Sequence, residues 1–456
     1  MQTIEADVVI LGLGPGGEYA GNKLGRAGLD VVAVEEDLVG GECPFYGCTP
    51  SKLLVRGAEA LSQARHAAAG GGRVDVHPDF SVAAGRVRTA TNDWHDHTHA
   101  DRLEESGVRI VRGRGRLDGP GRVVVERADG SGPVLLVGRR GVVLSTGTRP
   151  AVPPVAGLAG TPYLTNRDVF RLTEAPERLV VVGAGAIGCE LAQSFARFGS
   201  RVTLLESGPR VMAREEPETS EVLARVFARE GLDVRTDVTV ESVEHDGRFG
   251  VRLAGGEVLE ADQLLVAAGR RPNLDDVGLE TVSLDPTTRA VATDERMRAG
   301  ERRWAVGDIT GHGAYTHVAR YQAVAAVRDL LREDGPWTEY HAVTRVTFTD
   351  PEVGAVGMTE AQAREAGLAV AVGVASIARS SRGWIHGDDT DGVVKVVADT
   401  QRGVLVGATT VSPAGGEVLG LLAAAVHART PIETLRGMHF AYLTFHRTIQ
   451  NALNQL

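Results

Sequence analysis

The stretch DVVILGLGPGGEYAGNKLGRAGLDVVAVEE, residues 7–36, decides the fold. It begins with a continuous apolar run that is rich in β-branched residues and typical of a buried parallel strand. Gly12, Gly14 and Gly17 follow in G-x-G-x-x-G register, a helix-like stretch comes next, and a second apolar run ends at Glu35. This order of strand, glycine turn, helix and strand predicts a dinucleotide-binding βαβ unit.

Each part of this unit has a task in binding a dinucleotide. The first glycine turns the chain, the second lets a pyrophosphate approach the backbone, and the third lets the helix pack closely on the strand. The helix N-terminus offers unpaired N–H groups and positive potential to phosphate. Glu35, at the end of the second strand, can accept hydrogen bonds from ribose hydroxyls.

The whole pattern recurs in RLVVVGAGAIGCELAQSFARFGSRVTLLES, residues 178–207. Its glycines and its terminal acid are Gly183, Gly185, Gly188 and Glu206. Two complete copies indicate two dinucleotides, or one dinucleotide and one flavin dinucleotide.

The acid of the second copy also predicts which nicotinamide cofactor binds. Glu206 favours a free 2′-hydroxyl and repels a 2′-phosphate, so NADH is expected rather than NADPH. Arg210 lies four residues further on and could soften this preference, so NADPH stays possible.

Bulk properties narrow the class of protein. A chain of 456 residues is expected to fold as two to four domains, and the hydrophobic fraction of 43% is that of a globular protein. The net charge of −10 argues against a nucleic-acid partner. No apolar run is long enough to cross a bilayer and the start has no signal-peptide pattern, so we expect a cytoplasmic protein with no membrane partner.

The segment GGECPFYGCTPSK, residues 40–52, places Cys43 and Cys48 just after the first βαβ unit. In a reducing compartment a close cysteine pair is more often catalytic or metal-binding than structural. Zinc needs four ligands and the chain has no second cysteine pair, so we expect no metal site. Cys189, in the second predicted Rossmann helix, is expected to be a buried, inert thiol.

Together these motifs resemble the FAD-dependent pyridine nucleotide-disulfide oxidoreductases, over nearly the whole chain. The redox segment resembles the family's GGTCxNxGCxPSK. The other motifs that carry the resemblance are STGTRP (145–150), AAGRRPN (267–273), WAVGDI (304–309) and TFTDPEVGAVGMTE (347–360).

The resemblance implies an α/β fold with two Rossmann-like dinucleotide-binding domains and a C-terminal mixed α/β dimerisation domain. The FAD domain is expected at 1–149 and 272–340, the NAD(P)H domain at 150–271 and the interface domain at 341–456. It also implies bound FAD, and a homodimer whose active site is shared between subunits.

The resemblance further implies roles for individual residues. Cys48 would lie against the flavin and Cys43 would exchange with substrate, while the start of the following helix favours thiolate. Lys52 would stabilise reduced flavin and pair with Glu190, which stands in the sequence GCEL. The remaining implied cofactor contacts are Thr146, Gly147, Gly269, Asp308 and His317.

The C-terminal end, MHFAYLTFHRTIQNALNQL, departs from the family's H-P-T-x-x-E segment. One register places Tyr442 at the catalytic histidine and Arg447 at the glutamate, and we prefer it. The other register makes His446 the base, with Asn451 as its partner. A tyrosine is a poorer general acid–base near neutrality than a histidine.

Residues 92–108 are predicted to form one helix with His95 and His99 at i and i+4, facing the same way. In the simpler interpretation, these histidines only belong to a solvated, polar face of the helix. The alternative that we hypothesise gives His95 and His99 a role at the mouth of the substrate channel.

The function expected from these features is NAD(P)H-dependent reduction, through FAD and the Cys43–Cys48 disulfide, of a small disulfide or another acceptor. Alternatives are a dihydrolipoamide dehydrogenase proper, a mercuric-reductase-like metal-ion reductase and a reductive carboxylase resembling 2-ketopropyl-coenzyme M oxidoreductase. A flavin-binding partner protein without catalysis is disfavoured, because folding alone does not demand Cys43, Cys48, Lys52 and Glu190 together.

Overall fold

The computed structural model describes residues 1–387 and 390–456. The helices are α1 (Pro15–Arg26), α2 (Glu42–Tyr46), α3 (Cys48–Gly70), α4 (Phe80–Ala90), α5 (His97–Glu104), α6 (Ala186–Arg197), α7 (Pro217–Arg229), α8 (Thr316–Leu331), α9 (Glu360–Glu365), α10 (Ser381–His386), α11 (Gly415–His427), α12 (Ile432–Arg436) and α13 (His446–Leu453). Short 3₁₀ turns lie at Asn92–Trp94, Val169–Arg171, Leu279–Val282 and Asp308–Thr310.

The strands form several separate sheets. They are β1 (Gln2–Leu11), β2 (Val31–Glu35), β3 (Val108–Leu117), β4 (Arg122–Arg127), β5 (Val134–Leu144), β6 (Thr148–Pro150), β7 (Arg178–Val182), β8 (Arg201–Leu205), β9 (Asp233–Arg235), β10 (Val240–His245), β11 (Phe249–Leu253), β12 (Val258–Ala261), β13 (Gln263–Val266), β14 (Arg270–Pro272), β15 (Arg298–Gly300), β16 (Arg303–Ala305), β17 (Thr344–Thr347), β18 (Glu352–Gly357), β19 (Val370–Ser376), β20 (Val393–Asp399) and β21 (Val404–Ser412).

The chain divides into two compact units. The first consists of Met1–Pro50, Val87–Ala151 and Arg270–Glu339. The second consists of Ser51–Arg86, Val152–Gly269 and Tyr340–Leu456.

The first unit is built on a parallel sheet in which β1 lies between β2 and β5. β3 extends this sheet beyond β2, and β16 extends it beyond β5. Val8 and Ile10 pack into the hydrophobic cluster that also contains residues of α1 and α8, while Val9 and Leu11 pack into the cluster on the opposite face. Burial on both faces explains why the first strand is continuously apolar rather than alternating.

The second unit repeats the nucleotide-binding architecture and adds an antiparallel sheet. Its parallel sheet has the order β13-β7-β8-β9, with α6 connecting β7 to β8. The C-terminal sheet is antiparallel, with the order β17-β18-β21-β20-β19, and its cluster includes residues of α11 and α13. The predicted fold class, with two Rossmann-like parts and a mixed α/β C-terminal part, is confirmed.

The prediction of a single helix over 92–108 is wrong. Asn92, Asp93 and Trp94 have positive φ values of 50°, 50° and 58°, and His95 is extended, so α5 begins only at His97. Long-range hydrogen bonds cause the break.

The buried Trp94 indole donates to the carbonyl of Phe45 at 3.0 Å, and Asp96 accepts from the backbone N–H of Val39 at 2.6 Å. His95 and His99 therefore do not share one helical face.

Candidate active site

Both glycine turns are closed by a carboxylate in the same way. Glu35 Oε2 accepts from Leu13 N at 2.6 Å, and Glu206 Oε2 accepts from Ala184 N at 2.8 Å. The second oxygen of each carboxylate accepts from the N–H two residues further on, at 2.8 Å in both copies. Each acid thus holds the end of its second strand against the residue that follows the first glycine. Burial raises the pKa of Glu35.

The two turns fit dinucleotide binding. A Cβ on Gly14 or on Gly185 would meet nothing within 4 Å, so the backbone at each helix N-terminus faces open space. A Cβ on Gly17 or Gly188 would instead overlap the carbonyl oxygen of the first glycine. The middle glycine therefore leaves room for a phosphate, and the third permits close packing of helix on strand.

The redox segment lies directly against the first glycine turn. Gly41 has φ 68°, and a Cβ there would come within 2.7 Å of Gly14 Cα. Immediately after Gly41, α2 carries the half-buried Cys43, and α3 begins at the exposed Cys48. The structure thus brings both cysteines to the phosphate-binding end of the first unit.

Hydrogen bonding with the Cys48 side chain and burial raise the pKa of the Cys43 thiol, because both favour the protonated form. A hydrogen bond with Thr316 and the positive charge of Arg320 act in the opposite direction.

Cys48 lies where two helices begin. It is the first residue of α3, and its Sγ is 3.4 Å from Oγ1 of Thr316, the first residue of α8. Helix N-termini carry positive potential, so both helices favour a thiolate at Cys48.

In the second unit, Lys52 and Glu190 form the predicted ion pair. Lys52 Nζ is 2.6 Å from Glu190 Oε2, and Glu190 Oε1 accepts from the backbone N–H of Phe348 at 2.8 Å. The ammonium also lies 4.6 Å from the centre of the Phe348 ring. Both oxygens of a nearly buried carboxylate are therefore satisfied.

In the first unit, a chain of polar contacts joins Asp308 to the redox segment. Thr148 Oγ1 donates to Asp308 Oδ2 at 2.5 Å and accepts from Arg270 Nε at 2.7 Å. Arg270 also lies 3.1 Å from the carboxylate of Glu42, the residue before Cys43. Burial raises the pKa of Asp308, and Thr148 opposes this rise.

The two chain crossings lie beside this contact chain. Thr146 Oγ1 donates to Asn273 O at 2.8 Å, and Gly147 O accepts from Asn273 N at 2.9 Å. β6 and β14 pair there as an antiparallel ribbon, so the strand that leaves the first unit lies against the strand that returns after Gly269.

The predicted histidines lie in different surroundings. His99 Nδ1 is 3.1 Å from Glu18 Oε1, and its ring meets the Phe45 ring edge-on at 5.6 Å. His317 is exposed and stacks on Tyr315 with ring centres 5.4 Å apart. His99 therefore packs against α2, the helix that carries Cys43.

The C-terminal candidates lie in the second unit. Tyr442 is in the turn before α13 and is 72% exposed in the single chain, whereas His446 is the first residue of α13.

Sequence reasoning missed Thr148, Arg270, Thr316, Arg320 and Phe348. Thr148 and Arg270 lie inside the motifs STGTRP and AAGRRPN, so these motifs could have indicated both residues. Thr316 and Arg320 lie about 270 residues from Cys48 in sequence, and no local pattern predicts that they lie near the cysteine pair.

Comparison with known proteins identifies the class. The family model described as pyridine nucleotide-disulphide oxidoreductase matches residues 6–323, and the dimerisation domain of that family matches residues 343–453. The chain belongs to this family.

Its relatives cover nearly the whole chain. A mercuric reductase of Streptomyces lividans is 33% identical, across 98% of this chain and 95% of the relative. A dihydrolipoyl dehydrogenase of Chlorobaculum tepidum is 31% identical, across 98% and 96%. The solved Cu(II) complex of the HOCl-induced flavoprotein disulfide reductase RclA from Escherichia coli superimposes with a TM-score of 0.86 at 27% identity, across 99% of both chains.

The chain is therefore an FAD-dependent NAD(P)H oxidoreductase of the flavoprotein disulfide class. The matched dimerisation domain supports a homodimer. Within residues 1–387 and 390–456, no helix is long and apolar enough to span a membrane. In the same residues, no group of three histidine, cysteine or acidic side chains could hold a metal ion.

Proposed function

We propose that the chain reduces a small disulfide at the Cys43–Cys48 pair, with NADH as electron donor. The observation that carries this proposal is the position of Cys43 and Cys48 beside the first glycine turn, with the N-termini of α3 and α8 at Cys48. FAD, when bound, would accept the hydride and reduce the cysteine pair.

The cysteine pair reduces the acceptor disulfide in two successive thiol–disulfide exchange steps. The Cys43 thiolate attacks one sulfur of the acceptor, the acceptor S–S bond breaks, and the first thiolate leaves. Cys48 then attacks the Cys43 sulfur, the mixed disulfide breaks, and the second thiolate leaves. Each leaving thiolate takes one proton, and two electrons have passed from the cysteine pair to the acceptor.

The proposed roles of the other residues follow from their chemistry. Lys52, oriented by Glu190, would place positive charge near the reduced flavin. Tyr442 would supply the protons in the preferred register, and His446 in the other. The proposed role of His99 at the channel mouth stays a prediction.

For the nicotinamide cofactor, we propose NADH. Glu206 would accept from the ribose hydroxyls. The guanidinium of Arg210 donates to Ser220 Oγ at 2.7 Å and to the carbonyl oxygens of Ala213 and Glu215 at 2.8 and 2.9 Å. Because these hydrogen bonds hold the guanidinium against Ser220 and the two carbonyl oxygens, Arg210 is poorly placed to attract a 2′-phosphate.

We further propose the domain plan of 1–149 with 272–340 for FAD, 150–271 for NAD(P)H and 341–456 for the subunit interface. The separate sheets of these ranges support it. A cytoplasmic location without membrane or nucleic-acid partners is also a proposal, supported by the net charge of −10 and the cysteine usage.

An anaerobic titration with NADH tests the proposed function. The reduced protein should show a long-wavelength absorption band that requires the Cys48 thiolate and disappears in Cys48→Ser. Aliphatic disulfides should then reoxidise the wild-type protein, and Cys43→Ser should lose this reaction. Absence of the band in wild type would contradict a redox pair at Cys43 and Cys48.

Metal-ion reduction is the second candidate. Two thiols, one of them exposed, are soft ligands, and two of the relatives are by name a mercuric reductase and a protein solved as a Cu(II) complex. Stoichiometric oxidation of the NADH-reduced protein by Hg²⁺ or Cu²⁺, with no reaction towards any disulfide, would favour this candidate.

A further inference from the structure

Arg320 lies on a helix beside the cysteine pair and has no role in the thiol exchanges proposed above. It lies on α8, four residues after Thr316, whose hydroxyl is 3.4 Å from Cys48 Sγ. Side chains four residues apart share one face of a helix, so Arg320 lies one turn along the face that contacts the cysteine pair. Its side chain is exposed.

The guanidinium of Arg320 makes no hydrogen bond or ion pair within residues 1–387 and 390–456. Its positive charge nevertheless reaches the thiols, since it opposes the rise in the pKa of Cys43 that the hydrogen bond with Cys48 and burial cause. Arg320 is therefore an exposed, unpaired cation that interacts electrostatically with the attacking sulfur of Cys43, and it is available to bind a ligand.

Glu42, the acid within the redox segment, does not cancel this charge, because it has a cationic partner of its own. Its carboxylate lies 3.1 Å from Arg270. The field at Cys43 therefore keeps the contribution of Arg320.

We propose that Arg320 selects acceptors that carry negative charge, so that the substrates of this protein are carboxylate-bearing small disulfides rather than neutral or cationic ones. This inference rests on the proposed disulfide reduction. A guanidinium binds a carboxylate through two parallel hydrogen bonds, which a neutral or cationic acceptor cannot offer. The same charge repels a free divalent metal cation.

The test compares Arg320→Gln and Arg320→Glu with wild type on three aliphatic disulfides of similar length. These are 3,3′-dithiodipropionate (anionic), 2-hydroxyethyl disulfide (neutral) and cystamine (cationic). Arg320→Gln should lower kcat/KM for the anionic disulfide about threefold to fivefold relative to the neutral one, the size expected of one exposed ion pair. Arg320→Glu should shift preference towards cystamine. Arg26→Gln, an exposed arginine in the last turn of α1, is the matched control.

A second readout does not depend on turnover. In the NADH-reduced holoprotein, Cys43 is alkylated with iodoacetate or with iodoacetamide, and the modified peptide is quantified. The ratio of the two rates cancels any change in thiolate population, so it reports only the charge of the reagent. Arg320→Gln should lower the iodoacetate-to-iodoacetamide ratio about threefold, and Arg26→Gln should leave it unchanged.

The outcomes separate the two proposals. An unchanged ratio in Arg320→Gln, with reduction of the neutral disulfide intact, overturns the role of Arg320 and leaves disulfide reduction standing. A lowered ratio in a protein that reduces no disulfide overturns the proposed function while confirming that Arg320 attracts anions to Cys43.

Discussion

Lys52 and Glu190 form an ion pair of 2.6 Å in which the carboxylate side chain is only 6% exposed. The backbone N–H of Phe348 donates a hydrogen bond to the other oxygen of this carboxylate. The pair is therefore expected to contribute to the stability of the second unit.

Lys52→Met should lower the apparent melting temperature more than Glu190→Gln. The first change leaves a nearly buried carboxylate without its cation, at a cost of about 1–3 kcal/mol, whereas glutamine can still accept from Phe348. In the double variant Lys52→Met/Glu190→Gln the two losses should not add, because they remove the same interaction. Strictly additive shifts would contradict a direct coupling of the two side chains.

Cys48→Ala should make Cys43 more reactive at neutral pH. The hydrogen bond with Cys48 is the largest cause of the raised pKa of Cys43, so its removal lowers that pKa and increases the thiolate fraction. In wild type, alkylation of Cys43 by iodoacetamide should instead accelerate as pH rises above neutrality. The buried Cys189 provides an internal control that should stay unmodified. A slower reaction of Cys43 in Cys48→Ala would contradict this assignment.

Glu206→Gln should raise the use of NADPH relative to NADH about tenfold, because it removes the charge that repels a 2′-phosphate. The glutamine carbonyl can still accept from Ala184 N or from Gly208 N, so the glycine turn should stay in place. The measurement is the ratio of kcat/KM values for the two cofactors. Glu35→Gln, the equivalent change in the first copy, should leave this ratio unchanged.

Tyr442→Phe and His446→Gln distinguish the two registers of the C-terminal segment. In the preferred register the tyrosine change should lower kcat for a disulfide substrate more than the histidine change, by about 10²-fold, the range expected for loss of a proton donor. The rate of flavin reduction by NADH, measured in a single turnover, should be the same in both variants. The opposite order of kcat losses would support His446.

Lys395→Met should destabilise the second unit around β20. Lys395 is 3% exposed, and its ammonium lies 2.8–3.0 Å from the carboxylates of Glu216, Glu218 and Glu360. Removal of a buried cation from its partners costs about 3–5 kcal/mol. Faster hydrogen exchange at the amides of β20 would report this loss.

Lys23→Met provides the control for Lys395→Met. Its ammonium is exposed and lies over the Tyr19 ring at 5.7 Å. Surface changes of this kind alter stability by about 0.5 kcal/mol or less.

The sequence by itself predicted both nucleotide-binding turns, the position of the cysteine pair and the partnership of Lys52 with Glu190. The glycine turns follow from local rules, since chain turning, phosphate approach and helix packing each demand glycine at a defined spacing. The ion pair followed from family resemblance rather than from local pattern.

Only the tertiary structure decided how residues 92–99 fold and which charges surround the thiols. Residues 92–96 do not follow the predicted helix because Trp94 donates to Phe45 O and Asp96 accepts from Val39 N, about 50 residues earlier in the chain. Thr316 reaches Cys48 because β1, β5 and β16 are neighbours in one sheet and α8 follows that sheet in the chain. Local periodicity does not contain such contacts, because they arise only when distant segments share one hydrophobic core.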